Sequence, residues 1–217
     1  MRDFDFYEFV GVIVPGAVLL TGVALAWPDG SPVEKLGDLS VGGLGLGVIL
    51  AYAAGHLVQA VGNLVEKAWW RAWGGMPSDW PRTSAHPLIA SQQTSQLEDR
   101  VRMLLNQPAF AMSSVSQRDW YSIVRQMYAA VEKDGRSARI DVFNGNYGLC
   151  RGLAASFFAL VPLVASVQSP GWGVLAGLAV AGGIALYRMH RFGIHYGREL
   201  IVQFVSITSE QPRGNAA

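Results

Sequence analysis

Three stretches of the chain contain no Asp, Glu, Lys or Arg: Phe9–Pro28, Leu39–Val65 and Gly152–Tyr187. Uncharged runs of this length suit a bilayer, because a helix rising about 1.5 Å per residue needs roughly 20 residues to cross the hydrocarbon core. The first run fits one crossing and the second fits one with some tilt. The third is long enough for two, and Ser169-Pro170-Gly171 writes a turn into its middle. Four spanning helices are therefore predicted, over about 9–27, 41–63, 150–168 and 172–190. Composition agrees: 15% of residues are charged, against roughly 25% in a typical soluble domain.

The distribution of Lys and Arg gives an orientation. Every basic residue except Lys35 falls on one side if both termini and the segment Glu66–Arg151 share that side. The positive-inside rule makes it the cytoplasm. Trp27 and Trp172 then mark the outer interface, and Phe4, Phe6, Tyr7, Trp69, Trp70 and Trp73 the inner one, as an aromatic belt requires. Ala24-Leu25-Ala26 resembles a signal-peptidase site, but the acidic opening MRDFDFYE argues against a secretory signal. The reading is an all-α integral membrane protein of the bacterial inner membrane, with four transmembrane helices and a small helical cytoplasmic domain. Its parts are a transmembrane hairpin over 1–65, a cytoplasmic domain over 66–148, a second hairpin over 149–190, and a surface helix and tail over 191–217.

Within the cytoplasmic part, Ser95–Gln107 spaces Leu97, Val101, Leu104 and Leu105 as a helix face, and Pro108 stops it. Ser116 to Asp119 reads as a capping box with Asp in place of the usual Glu or Gln. It opens a helix whose apolar face is Trp120, Ile123, Val124, Met127 and Val131. Ser137–Tyr147 runs helically into the third span. After the fourth span, Arg188, Arg191, His195 and Arg198 lie near one face, which suggests an amphipathic helix on the membrane surface.

The second span is unusual in carrying Tyr52, His56, Gln59 and Asn63. With about 100° per residue, these four, Glu66 and Lys67 fall within about 100° of arc. Such a face is costly against lipid, so it meets other helices, water, or both. One reading is helix–helix glue by interhelical hydrogen bonds. The other is the lining of a water-filled pore, which a bundle this small would form only as a homo-oligomer. Gly43, Gly47, Ala51 and Gly55 recur every fourth residue on the same span, and Gly173, Gly177 and Ala181 do so on the fourth. These small-residue rows permit close backbone approach. Pro15 and Pro162 each remove a backbone hydrogen bond in mid-span.

Arg100, Arg102, Arg136 and Arg139 are candidates for holding a phosphate-bearing signal, since the guanidinium fork matches phosphate. Interleaved carboxylates such as Glu98, Asp99 and Asp134 favour a solvated surface near anionic headgroups instead. Cys150 is the only cysteine, which excludes an internal disulfide. No HExxH, GxSxG or phosphate-binding loop is present, and the histidines lack metal-ligand spacing. GGLGLG (Gly42–Gly47) follows no strand and lies within a span, so it is no dinucleotide loop. We therefore expect no enzyme, no metal and no cofactor. A net charge of +1 gives no sign of a direct nucleic-acid partner.

The opening DFYEFVGVIVPGAVLL, with its mid-helix Val14-Pro15-Gly16, together with Gly55-His56-Leu57 and the four-span layout, resembles the small membrane proteins of prokaryotic anti-phage defence systems. These include the membrane accessories of RNA-guided ribonuclease systems and channel effectors opened by nucleotide signals. The resemblance implies an inner-membrane oligomer that stays closed until infection and then depolarises the cell. Its trigger would be a nucleotide signal or a cytoplasmic defence protein. Two readings stay open: a gated pore lined by the second helix, or a membrane anchor whose cytoplasmic domain recruits a partner.

Overall fold

The computed structural model describes residues 6–27, 41–84, 86–167 and 171–207. These form helices only: α1 (Phe6–Ala26), α2 (Val41–Ala72), α3 (Trp80–Thr83), α4 (Ser91–Leu105), α5 (Gln117–Lys133), α6 (Ala138–Val167) and α7 (Trp172–Ser206), with short 3-10 turns at Pro77–Asp79 and Met112–Ser114. Four of them, α1, α2, α6 and α7, are long and apolar enough to cross a membrane. The protein is thus an all-helical, multi-pass membrane protein. Phe4, the loop with Lys35, and the tail from 208 onward lie outside the described residues.

The chain divides into two compact units, Met1–Trp73 with Val142–Gly193, and Gly74–Asp141 with Ile194–Ala217. The second long helix extends past the expected end of its span, and the third begins where Ser137–Tyr147 is expected to run helically into its span. α2 continues to Ala72, and α6 begins at Ala138.

In the first unit, α1 and α2 meet almost backbone to backbone. A Cβ built on Gly16 would lie 1.9 Å from the Ala51 carbonyl oxygen, and one on Gly55 would lie 2.1 Å from the Val12 carbonyl oxygen. Only glycine permits this approach, which brings dispersion contacts that lipid cannot supply as densely. α6 joins the pair at Gly152, where a Cβ would meet the Pro15 ring at 2.6 Å, and Ser156 donates a buried 2.8 Å hydrogen bond to the Pro15 carbonyl. α7 reaches α6 at Gly182, against the Phe158 ring, and α2 at Gly193, against Trp70.

In the second unit, the amphipathic face of α5 is buried as its spacing predicts: Trp120, Ile123, Val124, Met127 and Val131. Ser116 caps α5, accepting from the Asp119 backbone N–H at 3.2 Å. Leu97 and Val101 of α4 are also buried, whereas Leu104, near the end of the helix, is exposed. After the fourth span, where a surface helix is expected, Ile194–Ser206 continues α7 without a break and buries Leu200, Ile201 and Phe204. Its basic face is tied to the same unit, with Arg198 donating to the Leu88 carbonyl at 3.1 Å. The sequence pattern of an amphipathic helix does not distinguish a protein core from a membrane surface as the cover for its apolar face.

Candidate functional site

The polar arc of α2 divides along its length. Gln59 is turned into the protomer, where its side-chain nitrogen donates to the Gly11 carbonyl at 2.7 Å and to the Gly148 carbonyl at 3.3 Å. Gly11 is the residue four before Pro15, so its carbonyl is the acceptor that the proline leaves without a backbone donor. A freed carbonyl at membrane depth needs a replacement donor from a neighbouring helix, and Gln59 supplies it. The amide oxygen of Gln59 is held in turn by Arg151 of α6, with Nη2 at 2.9 Å and Nε at 3.3 Å.

Arg151 extends the network to Glu66, with which it forms an ion pair through Nη1. Both side chains are about one-fifth exposed, so the pair is partly desolvated and each charge depends on the other. Gly62 gives the Arg151 stem its room, its virtual Cβ lying 3.2 Å from the arginine Cγ. Tyr147 lies one turn before Arg151, and its hydroxyl accepts from Trp70 Nε1 at 2.7 Å. Trp70 stacks on His190 of α7 at 5.1 Å between ring centroids, and Trp69 and Trp73 complete three indoles around that imidazole. Trp69 Nε1 donates to His190 Nδ1 at 3.2 Å. Hydrogen bonds, one ion pair and ring contacts thereby link α1, α2, α6 and α7.

Tyr52, His56 and Asn63 behave differently: all three are exposed on the outer face of α2. Tyr52 and His56 make an edge-to-face contact at 4.6 Å. Lys67, one turn beyond Asn63, is exposed too. A spacing argument gave Gln59 and Asn63 the same environment, and the structure separates them. The sequence assigns Arg151 and Tyr147 no site role and offers His190 only as a poorly spaced metal ligand; an Arg at the edge of one apolar run, with a Gln and a Glu near the edge of another, was the available signal.

The small-residue rows also split. Ala51 and Gly55 pack on α1, whereas Gly43 and Gly47 line an open apolar groove with Ile13, Ala17, Leu44 and Val48. On α7, Gly173 and Gly177 have open space where a Cβ would stand, and Ala181 is half-buried. Close packing within the protomer falls on Gly55 of the second-span row and also on Gly16, Gly152 and Gly182, which belong to neither row.

In the second unit, the arginines proposed for signal binding are mostly engaged with carboxylates. Arg102 pairs with Glu98 at 2.6 Å and Asp99 at 2.9 Å, Arg136 with Asp134 at 2.8 Å, and Arg139 with Glu199 at 3.6 Å. Arg100 is half-buried and makes no ion pair among the described residues. Among the described residues, no three His, Cys, Asp or Glu side chains gather as metal ligands would. No family model matches the sequence, and no curated protein or solved structure is significantly similar to it.

Proposed function

We propose that the protein assembles as a homo-oligomer in which α2 helices from several copies face one another across a gated aqueous path. The observation that carries this reading is the exposure of Tyr52, His56 and Asn63 on a spanning helix whose remaining polar group, Gln59, is already satisfied inside the protomer. Glue within the protomer accounts for Gln59 alone. The other three need water or a second copy, because hydrocarbon offers them no partner.

The resemblance of the N-terminal half to defence-associated membrane proteins extends the proposal to a prokaryotic inner-membrane effector, with both termini cytoplasmic. Its opening would permeabilise the membrane on a cytoplasmic trigger. Internal pairing of Arg102, Arg136 and Arg139 favours a protein trigger over a phosphate-bearing one. A second reading, an adaptor that recruits a partner, draws on Met103 and Tyr121, large side chains left exposed on the second unit.

Current through planar bilayers containing the purified protein tests the proposal. Discrete openings in the wild type that are lost in Asn63→Leu and His56→Leu, with the oligomer intact by light scattering, support the path. Openings that persist in both variants would remove α2 from its wall. An adaptor would show no openings, and would lose a partner on Met103→Asp and Tyr121→Asp.

A further inference from the structure

The last turns of α2 carry three charges, Glu66, Lys67 and Arg71, and the tertiary structure sorts them. Glu66, the one acidic residue of α2, is turned inward and held by Arg151. Lys67 and Arg71 are exposed and make no ion pair among the described residues. Lys67 continues the line of Tyr52, His56 and Asn63, all four lying within about 60° of arc on an α-helix. The face that would border water therefore presents cations at its inner end and no carboxylate.

We propose, on the basis of the pore reading, that the path selects small inorganic anions, and that Lys67 is the charge-selecting group. A ring of copies places one ammonium per subunit at the same level, and rings of Lys or Arg favour anions as rings of Asp or Glu favour cations. Arg151 has a second consequence here. By sequestering Glu66, it removes the carboxylate that would otherwise stand beside Lys67 and cancel its field. At the other end of α2, the loop with Asp29, Glu34 and Asp38 lies outside the described residues, so the test addresses the inner end alone.

The experiment is the sign of the reversal potential in a potassium chloride gradient across a planar bilayer, using the full-length oligomer. The wild type is expected to favour chloride several-fold. Lys67→Gln should reduce that ratio and Lys67→Glu should invert it, while Lys133→Glu on α5 should leave it unchanged. The neutral variant keeps the test decisive where Lys67→Glu assembles poorly. A wild-type current that prefers potassium or neither ion overturns the inference but leaves the pore standing. So does a chloride preference that both Lys67 variants retain. Absence of any current from the intact oligomer overturns the pore reading and this inference with it.

Discussion

The side-chain amide of Gln59 stands 2.7 Å from the Gly11 carbonyl, in place of the backbone donor that Pro15 lacks. A proline in one spanning helix is thus matched by a glutamine in the next. Gln59→Leu strips the Gly11 and Gly148 carbonyls and the Arg151 guanidinium of partners at once. Leaving a buried acceptor unsatisfied costs about 1–3 kcal/mol. The expected result is a lower melting temperature in detergent and a smaller monodisperse fraction. Asn63→Leu, one turn away but exposed, should leave the melting temperature near that of the wild type and act on conductance alone.

Gly16 and Gly55 predict a sharp size limit at the crossing of α1 and α2. Gly16→Ala places a methyl carbon 1.9 Å from a backbone oxygen, which side-chain rearrangement does not relieve. The helices must separate, at a cost of about 1–3 kcal/mol or more. Gly173→Ala, which meets open space, should stay within about 0.5 kcal/mol. Thermal unfolding of the two variants in the same detergent checks the contrast. A small effect from Gly16→Ala would mean that the backbones do not touch there.

The Glu66–Arg151 pair should behave as a coupled unit. Removing either partner leaves the other charge partly desolvated and without its counter-ion, so Glu66→Gln and Arg151→Gln should each destabilise by about 1–3 kcal/mol. The double variant should cost less than the sum, because the stranded charge is gone. A double-mutant cycle on denaturant unfolding measures the coupling, and strict additivity would show that the two side chains do not share one network. Arg151→Gln should be the more damaging single change, since it also frees the Gln59 oxygen.

In the second unit, the Tyr128 phenol donates to Asp141 at 2.6 Å. Burial first, and then the bond to Asp141 and its negative charge, push the phenol above its ordinary value, which is about 10. Because the folded value is raised, the stabilisation is fully present below about pH 10 and is lost as pH climbs through the folded value. In alkaline titration the Tyr128 phenol should therefore ionise only above the ordinary tyrosine range, with loss of helical signal as it does so. Tyr128→Phe should remove one tyrosine's share of the late phenolate amplitude, and an unchanged late amplitude would count against the bond to Asp141; stability at neutral pH should fall by about 1 kcal/mol.

How much of this was legible in the sequence depends on the range of the physics involved. Uncharged run lengths and the spacing of Trp120 to Val131 marked out four apolar helices and the principal helix of the second unit. Each of these rests on residues close in the chain. The polar arc on α2 was equally plain, since helical geometry alone groups Tyr52, His56, Gln59 and Asn63.

What each member of the arc faces was decided only by tertiary structure. Gln59 points inward because Pro15, on another helix, leaves a carbonyl that must be satisfied in a low-dielectric medium, and Arg151, 92 residues further along the chain, holds its other end. Glu66 and Lys67, neighbours in sequence, are separated because only one of them meets that arginine. Likewise, the apolar face of Ile194–Ser206 is covered by protein and not by lipid, a choice its own spacing does not make. Local pattern determined where the helices lie, and the pairing of distant polar groups away from water determined which side of each helix is left for function.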